Sequence, residues 1–126
     1  MPYEISWEPL GVVLRASGVI LDEDSTAANE ELYASPLFPN MKYSIIDFSR
    51  IEKFGLSSER VRLTAERDQI AAETNPDMKI AVIASTPLVR GMANMYAIYH
   101  ELRGGGWTSK IFECEDDARA WAAPSS

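Results

Sequence analysis

Tyr3, Ile5 and Trp7 alternate with Glu4, Ser6 and Glu8 in YEISWEP. A period of two predicts a half-buried strand, which Pro9 interrupts. GVVLRASGVI, residues 11–20, is a second β-rich stretch with a kink expected at Gly18. So short a link favours antiparallel pairing of the two. In LDEDSTAANEELYASP the acidic residues and Ser25 favour a helix start, and Pro36 stops it. Its apolar face is thin: Ala28, Leu32 and Tyr33.

From residue 42 the pattern changes. KYSIIDFS reads as a compact apolar strand. ERVRLTAERDQIAAET predicts a helix, with Leu56, Leu63 and Ile70 seven apart on one side. KIAVIAS (79–85) is a continuous apolar run, the signature of a strand buried on both faces. TPLVRGMANMYAIYHELRGGG is the clearest helix. Ser85 or Thr86 caps it, Pro87 suits its first turn and GGG at 104–106 ends it. Its predicted apolar stripe is Leu88, Met92, Met95, Tyr99 and Leu102. WTSKIFE is a last strand, and EDDARAWA a short helix with Trp121 on its inner face.

The order β-β-α-β-α-β-α-β-α implies an α/β fold. An antiparallel N-terminal strand pair joins parallel β-α-β units in one small mixed sheet, with helices packed mainly on one face. The 126 residues are expected to form one domain, with 124–126 as a frayed tail.

Composition narrows the function. Hydrophobic content is 46% and charged content 25%, enough for an ordinary core. The net charge of −7, with no basic run, argues against nucleic acid as a partner. MPYEISWEPLG has neither the basic nor the apolar region of a signal peptide. Apolar runs reach about six residues, far short of the roughly 20 that span a bilayer. Cys114 is the lone cysteine, which excludes an internal disulfide and fits a cytoplasmic location.

Candidate chemistry is sparse. Asp22, Glu23, Asp24 and Asp47 could in principle gather around a cation. They are too close in sequence for the phosphoacceptor arrangement of a receiver domain, so a turn and helix start is expected. His100 is expected at the surface, facing a helix C-terminus. Cys114 precedes acidic residues, which raise rather than lower a thiol pKa. GGG follows a helix, so its amides do not form a phosphate cradle. No acid, base and nucleophile converge, and the sequence points to no enzyme, metal or cofactor. Met92, Met95, Tyr96 and Tyr99 are expected to pack on the sheet, or to wall an apolar pocket or dimer face. Gly91 costs that helix up to about 1 kcal/mol, which a close approach to a strand or ligand would explain. In FGLSSERV, Ser57 is placed as an N-cap, accepting from the N–H of Glu59 or Arg60, with Ser58 the first helical residue. A phosphate there would also gain from the helix dipole and from Arg60 or Arg62.

Taken together, IIDFSRIEKFGLSSERVRLTAE, KIAVIASTPLVRGMANMYAIY and SKIFECEDDARAWA resemble a STAS domain, the fold of bacterial anti-sigma factor antagonists. The resemblance covers about residues 3–123. Gly91-Met92-Ala93 and the closing Phe112, Ala118 and Trp121 are similar to STAS-like proteins sometimes compared with lipid-binding Sec14 domains. The resemblance implies a protein-interaction switch that is phosphorylated on a serine at the start of the second helix, in a D-S-S-G-L type motif. Laid without gaps, the motif's Asp falls on Gly55 and its acceptor on Leu56. Ser57 is therefore a positional candidate only.

The resulting expectation is a non-enzymatic regulatory module that binds another protein near Ser57, Ser58 and Arg60, with self-association as a homodimer expected through the aromatic-rich N-terminal strand and the Met/Tyr helix. The alternative is a carrier of a small apolar, lipid-like ligand at Met92, Met95, Tyr96 and Tyr99.

Overall fold

The computed structural model describes residues 2–102 and 107–124. Strands β1 (Tyr3–Glu8) and β2 (Gly11–Leu21) lead into helix α1 (Asp22–Ala34) and a single 3-10 turn, Phe38–Asn40. Then follow β3 (Tyr43–Gly55), α2 (Ser58–Ala71), β4 (Lys79–Ile83), α3 (Pro87–Leu102), β5 (Thr108–Phe112) and α4 (Glu115–Ala122). The five strands lie in the order β1-β2-β3-β4-β5; β1 pairs antiparallel with β2 and the other neighbours are parallel. Each step moves one place in the same direction. Crossovers of one hand then put their helices on one face of the sheet.

Side-chain alternation divides the core between the two faces. Val12, Leu14, Ile80, Val82 and Ala84 point to the face covered by α1, α3 and the 3-10 turn. Val13, Ile45, Ala81 and Ile83 point to the other, where Ala118 and Ala122 of α4 meet them. The expected two-sided burial of 79–85 is what β4 shows. Trp121 lies inward as expected, against Phe112 at 5.6 Å between ring centroids. Lys79 Nζ sits 5.2 Å from the Trp121 ring and donates to its backbone carbonyl at 3.0 Å.

Several boundaries and faces differ from the sequence expectation. β3 runs on to Gly55, because Arg50–Gly55 pair with Ser17–Leu21 beyond a register shift at Ser17 and another after Gly18. Gly18 has φ +68°, so the kink expected there is a left-handed bulge that only glycine enters cheaply. On α2 the buried residues are Val61, Ala65 and Asp68, while Ile70 is 68% exposed. The Leu56–Leu63–Ile70 stripe is thus not the buried face, and Leu56 precedes the helix. The small Ala65 on the inner side suits close packing of α2 on α3.

α3 is rotated in the same sense. Val89 and His100 are buried and Leu88 is 59% exposed. Its inner face runs Val89, Ala93, Tyr96, His100 rather than Leu88, Met95, Tyr99. Gly91 is exposed, and a Cβ added there would touch nothing within 4 Å. No close approach accounts for it. The expected GGG stop at 104–106 and the end of the frayed tail, Ser125–Ser126, lie outside the described residues, as does the side chain of Leu102.

His100 is the largest correction. It is 4% exposed, not a surface histidine. Its Nε2 accepts from the Trp107 backbone N–H at 3.2 Å. The ring stacks between Tyr96 and Trp107, each 5.9 Å away between centroids. Trp107 Nε1 donates to the Asn75 carbonyl at 2.6 Å, and Asn75 Nδ2 donates to the carbonyls of Phe38 (2.8 Å) and Met41 (2.7 Å). This chain of buried bonds ties the segment after α2 to the 3-10 turn and to the start of β5.

Candidate functional site: a capped serine beside an apolar cavity

β3 ends at Gly55, and the chain turns into α2 through Leu56 and Ser57. Ser57 is extended (φ −78°, ψ 156°), and its Oγ accepts from the Arg60 backbone N–H at 3.0 Å. It is the N-cap that the sequence suggested, and Ser58 opens the helix. Both serines are exposed. A partner that no local pattern announced also holds Ser57. Asp22, first residue of α1, accepts the Ser57 backbone N–H on Oδ1 at 2.9 Å and the Ser57 hydroxyl on Oδ2 at 2.9 Å. The hydroxyl therefore accepts from α2 and donates to α1. Two helix N-termini share one polar junction.

The other acidic candidates do not converge there. Asp24 caps its own helix, accepting from the Leu21 N–H at 2.9 Å. Asp47 is buried within β3 and accepts from the Ser49 N–H at 2.8 Å. Among the described residues, no group of three or more His, Cys, Asp or Glu side chains could hold a metal ion. Cys114 is exposed at the N-cap position of α4.

Directly under the serine junction, a cavity of about 110 Å³ lies between the sheet and α1, α2 and α3, partly open to solvent. Leu14, Ile46, Ile80 and Val82 of the strands form its floor. α1 offers Ser25, Ala28 and Asn29; α2 offers Arg60, Val61, Thr64 and Asp68; α3 offers Val89, Met92, Ala93 and Tyr96. Phe48, Phe54 and Leu56 close the end next to Ser57. The space exists because α1 and α2 turn short side chains inward and leave the sheet incompletely covered. Of the four Met/Tyr positions, Met92 and Tyr96 line the cavity. Met95 and Tyr99 do not.

Besides Ser25, Asn29 and Thr64, two ionisable side chains stand in this largely apolar lining. Asp68 is buried and accepts from the Tyr96 hydroxyl at 2.6 Å. Burial pushes its carboxyl up to about 7, against a smaller opposing effect of the Tyr96 hydrogen bond. Burial, and then the charge of Asp68, push the Tyr96 hydroxyl well above its ordinary range, so it remains a donor. At the other end, Arg60 lines the cavity with its Nε buried and without a hydrogen-bond partner. Sequence reasoning placed Arg60 at the serine surface and missed Asp68. The signal for Asp68 was its position, seven residues after Val61 on the inner arc of α2.

The opposite face of the sheet carries a charged lattice. Arg119 donates to both oxygens of Glu8 (3.1 and 2.9 Å) and to Glu115 (2.8 Å), while Arg15 reaches Glu115 at 2.9 Å. The Tyr43 hydroxyl donates to Glu8. These bonds, that of Arg119 first, hold both carboxyls below their usual range. The lattice anchors α4 to β1 and β2.

No family model matches the chain, and no curated protein matches it by sequence. Among solved structures, it is similar to the anti-sigma factor antagonist SpoIIAA in its unphosphorylated form, with a TM-score of 0.60, 13% identity and 94% of each chain covered. It is also similar to an uncharacterised protein of the DUF3478 family with a SpoIIAA-like fold from Shewanella loihica PV-4. There the TM-score is 0.55 and the identity 17%, over 96% of this chain and 92% of that one.

Proposed function

We propose that the chain, with its STAS-like, SpoIIAA-like fold, is a non-enzymatic regulatory protein-interaction module, with its partner surface at Ser57, Ser58 and Arg60. The observation that carries this reading is the exposed Ser57 hydroxyl, held by the Asp22 carboxylate at the start of α2. The fold likeness to an antagonist characterised in an unphosphorylated form supports it. A carboxylate that accepts the hydroxyl proton readies the oxygen to attack the γ-phosphorus of ATP held by a kinase, with ADP leaving. The new phosphate would gain from the α2 dipole and from the nearby Arg60. It would also repel Asp22, so the polar junction between the α1 and α2 starts would part. A partner can read that change.

Incubation with an anti-sigma-type serine kinase and ATP tests this. Label is expected on Ser57, retained in Ser58→Ala and lost in Ser57→Ala. Absence of label at Ser57 overturns the switch.

One observation favours a second reading, a carrier or sensor of a small apolar ligand: the cavity itself, with its largely apolar lining. A small molecule retained in native mass spectra of the purified protein would support it. No helix among the described residues is long and apolar enough to cross a membrane.

A further inference from the structure

We propose that the cavity is a binding site for a small apolar monocarboxylate, with its carboxylate on the Arg60 guanidinium and its hydrocarbon body between Ile80, Val89 and Ala93. The proposal rests on the ligand-carrier reading and names the chemistry that such a ligand must have.

Three observations converge on it. First, Arg60 lines a largely apolar cavity, and its Nε is a buried donor without a hydrogen-bond partner. A donor in that position is costly to leave unpaired. Among the described residues no carboxylate forms an ion pair with Arg60, although Arg62, two residues on, pairs with Glu59 and Glu66. A carboxylate from outside would supply a charge-assisted, fork-shaped pair.

Second, the size fits a compact molecule. An apolar cavity of about 150 Å³ takes one benzene. This one is smaller, at about 110 Å³, but partly open, which limits the body to about one small ring or short branched chain.

Third, the cavity is polarised along α2. Arg60 and Asp68 are eight residues apart, about 12 Å along the helix axis. The cation is at one end and the Asp68–Tyr96 pair at the other. An anionic head is therefore favoured at Arg60 and kept away from the Asp68 carboxyl. Arg60 also gives its backbone N–H to the Ser57 cap, so the proposed head group would touch the residue that holds the exposed serine.

The test uses phenylacetate and its neutral isostere phenylacetamide, titrated into the 15N-labelled full chain. Phenylacetate is expected to saturate, moving the amides of Thr64, Ala93 and Tyr96 and the Arg60 Nε–H signal. Arg60→Met, which keeps the apolar stem, should weaken phenylacetate at least about tenfold, the loss expected for a charged hydrogen-bonded partner. Arg60→Gln should do the same, which guards against a fault peculiar to one variant. Phenylacetamide should bind about tenfold more weakly than the acid and be unaffected by either variant. If the amide binds as tightly as the acid and both variants leave the acid unchanged, the carboxylate assignment is overturned while the carrier reading stands. If neither probe moves a cavity residue at millimolar concentration, both readings are overturned.

Discussion

Asp22 holds Ser57 by two hydrogen bonds at once, one to its backbone N–H and one to its hydroxyl, each 2.9 Å. The two residues are 35 apart in sequence and open different helices. Ser57 is thereby a cap in both directions: it accepts from Arg60 and donates to Asp22. A switch motif would carry its acid beside the serine. Here the acid comes from α1, across the top of the sheet.

This bridge predicts a measurable coupling. Asp22→Ala removes two hydrogen bonds at an exposed site and should cost about 0.5–1.5 kcal/mol of unfolding free energy. Ser57→Ala removes the cap and should cost about 1 kcal/mol. The double variant should cost less than the sum, by about 0.5 kcal/mol or more, since one bond is counted twice. Urea unfolding of the four proteins measures the cycle. Strict additivity would show that the two residues do not interact in solution.

Gly91 gives a prediction of opposite sign. It sits in the interior of α3, exposed, with open space where a Cβ would stand. Gly91→Ala should therefore stabilise the protein, by about 0.5–1 kcal/mol through helix propensity and unfolded-state entropy. A raised midpoint in urea with an unchanged slope is the expected result. A lowered midpoint would point to a role for the bare backbone there.

The same helix shows how far local pattern carries. The order of elements, the antiparallel first pair and the parallel remainder were all legible, because alternation, apolar runs and caps are local signals. Thr86 caps α3 as expected, accepting from the Val89 N–H at 3.3 Å. The rotation of α2 and α3 about their axes was not legible. In each helix two arcs have apolar spacing, and the larger Leu, Ile and Met side chains drew the choice. Burial went instead to the arcs with Val, Ala and one polar residue, Asp68 or His100, because those polar groups find partners only after the chain has folded. Tyr96 for Asp68 and Trp107 for His100 lie on other turns or elements. The Asp22–Ser57 bridge was hidden for the same reason. The cavity was half legible: its Met92 and Tyr96 were named, its cation and its acid were not paired with them.

Asn75 tests the buried bond chain. Its amide satisfies the Phe38 and Met41 carbonyls, and its own carbonyl takes the Trp107 indole N–H. Asn75→Ala leaves two buried acceptors without their donor and should destabilise by about 2–4 kcal/mol. Asn75→Asp should be at least as harmful, since it replaces the donor with an acceptor facing two carbonyls. Thermal unfolding read by tryptophan fluorescence checks both. An Asp variant as stable as the wild type would refute the bonding pattern.

Asp68 makes stability depend on pH in a direction opposite to most carboxylates. Its carboxyl is raised from 3.8 to about 7, chiefly by burial. The folded state therefore holds its proton more tightly than the unfolded chain does. The contribution is fully present below about pH 4 and is lost as pH rises through about 7, above which it is flat. Glu8 and Glu115, whose carboxyls Arg119 lowers, act the other way: their stabilisation is present above the ordinary carboxylate range and fades as pH falls. A difference measurement separates the two effects. Asp68→Asn keeps an acceptor for the Tyr96 hydroxyl and cannot ionise. Relative to wild type it should gain stability between pH 4 and pH 7, by on the order of 1–3 kcal/mol, and then hold that gain at higher pH. Urea unfolding of both proteins at pH 4, 5.5, 7 and 8 gives the curve. Tyr96 is the neighbour that bonds Asp68, and its hydroxyl remains protonated throughout this range. A gap between variant and wild type that does not change with pH would mean that Asp68 is ionised in the folded protein at all of these values. The acid at the far end of the cavity would then be a charge, not a neutral group, at neutral pH.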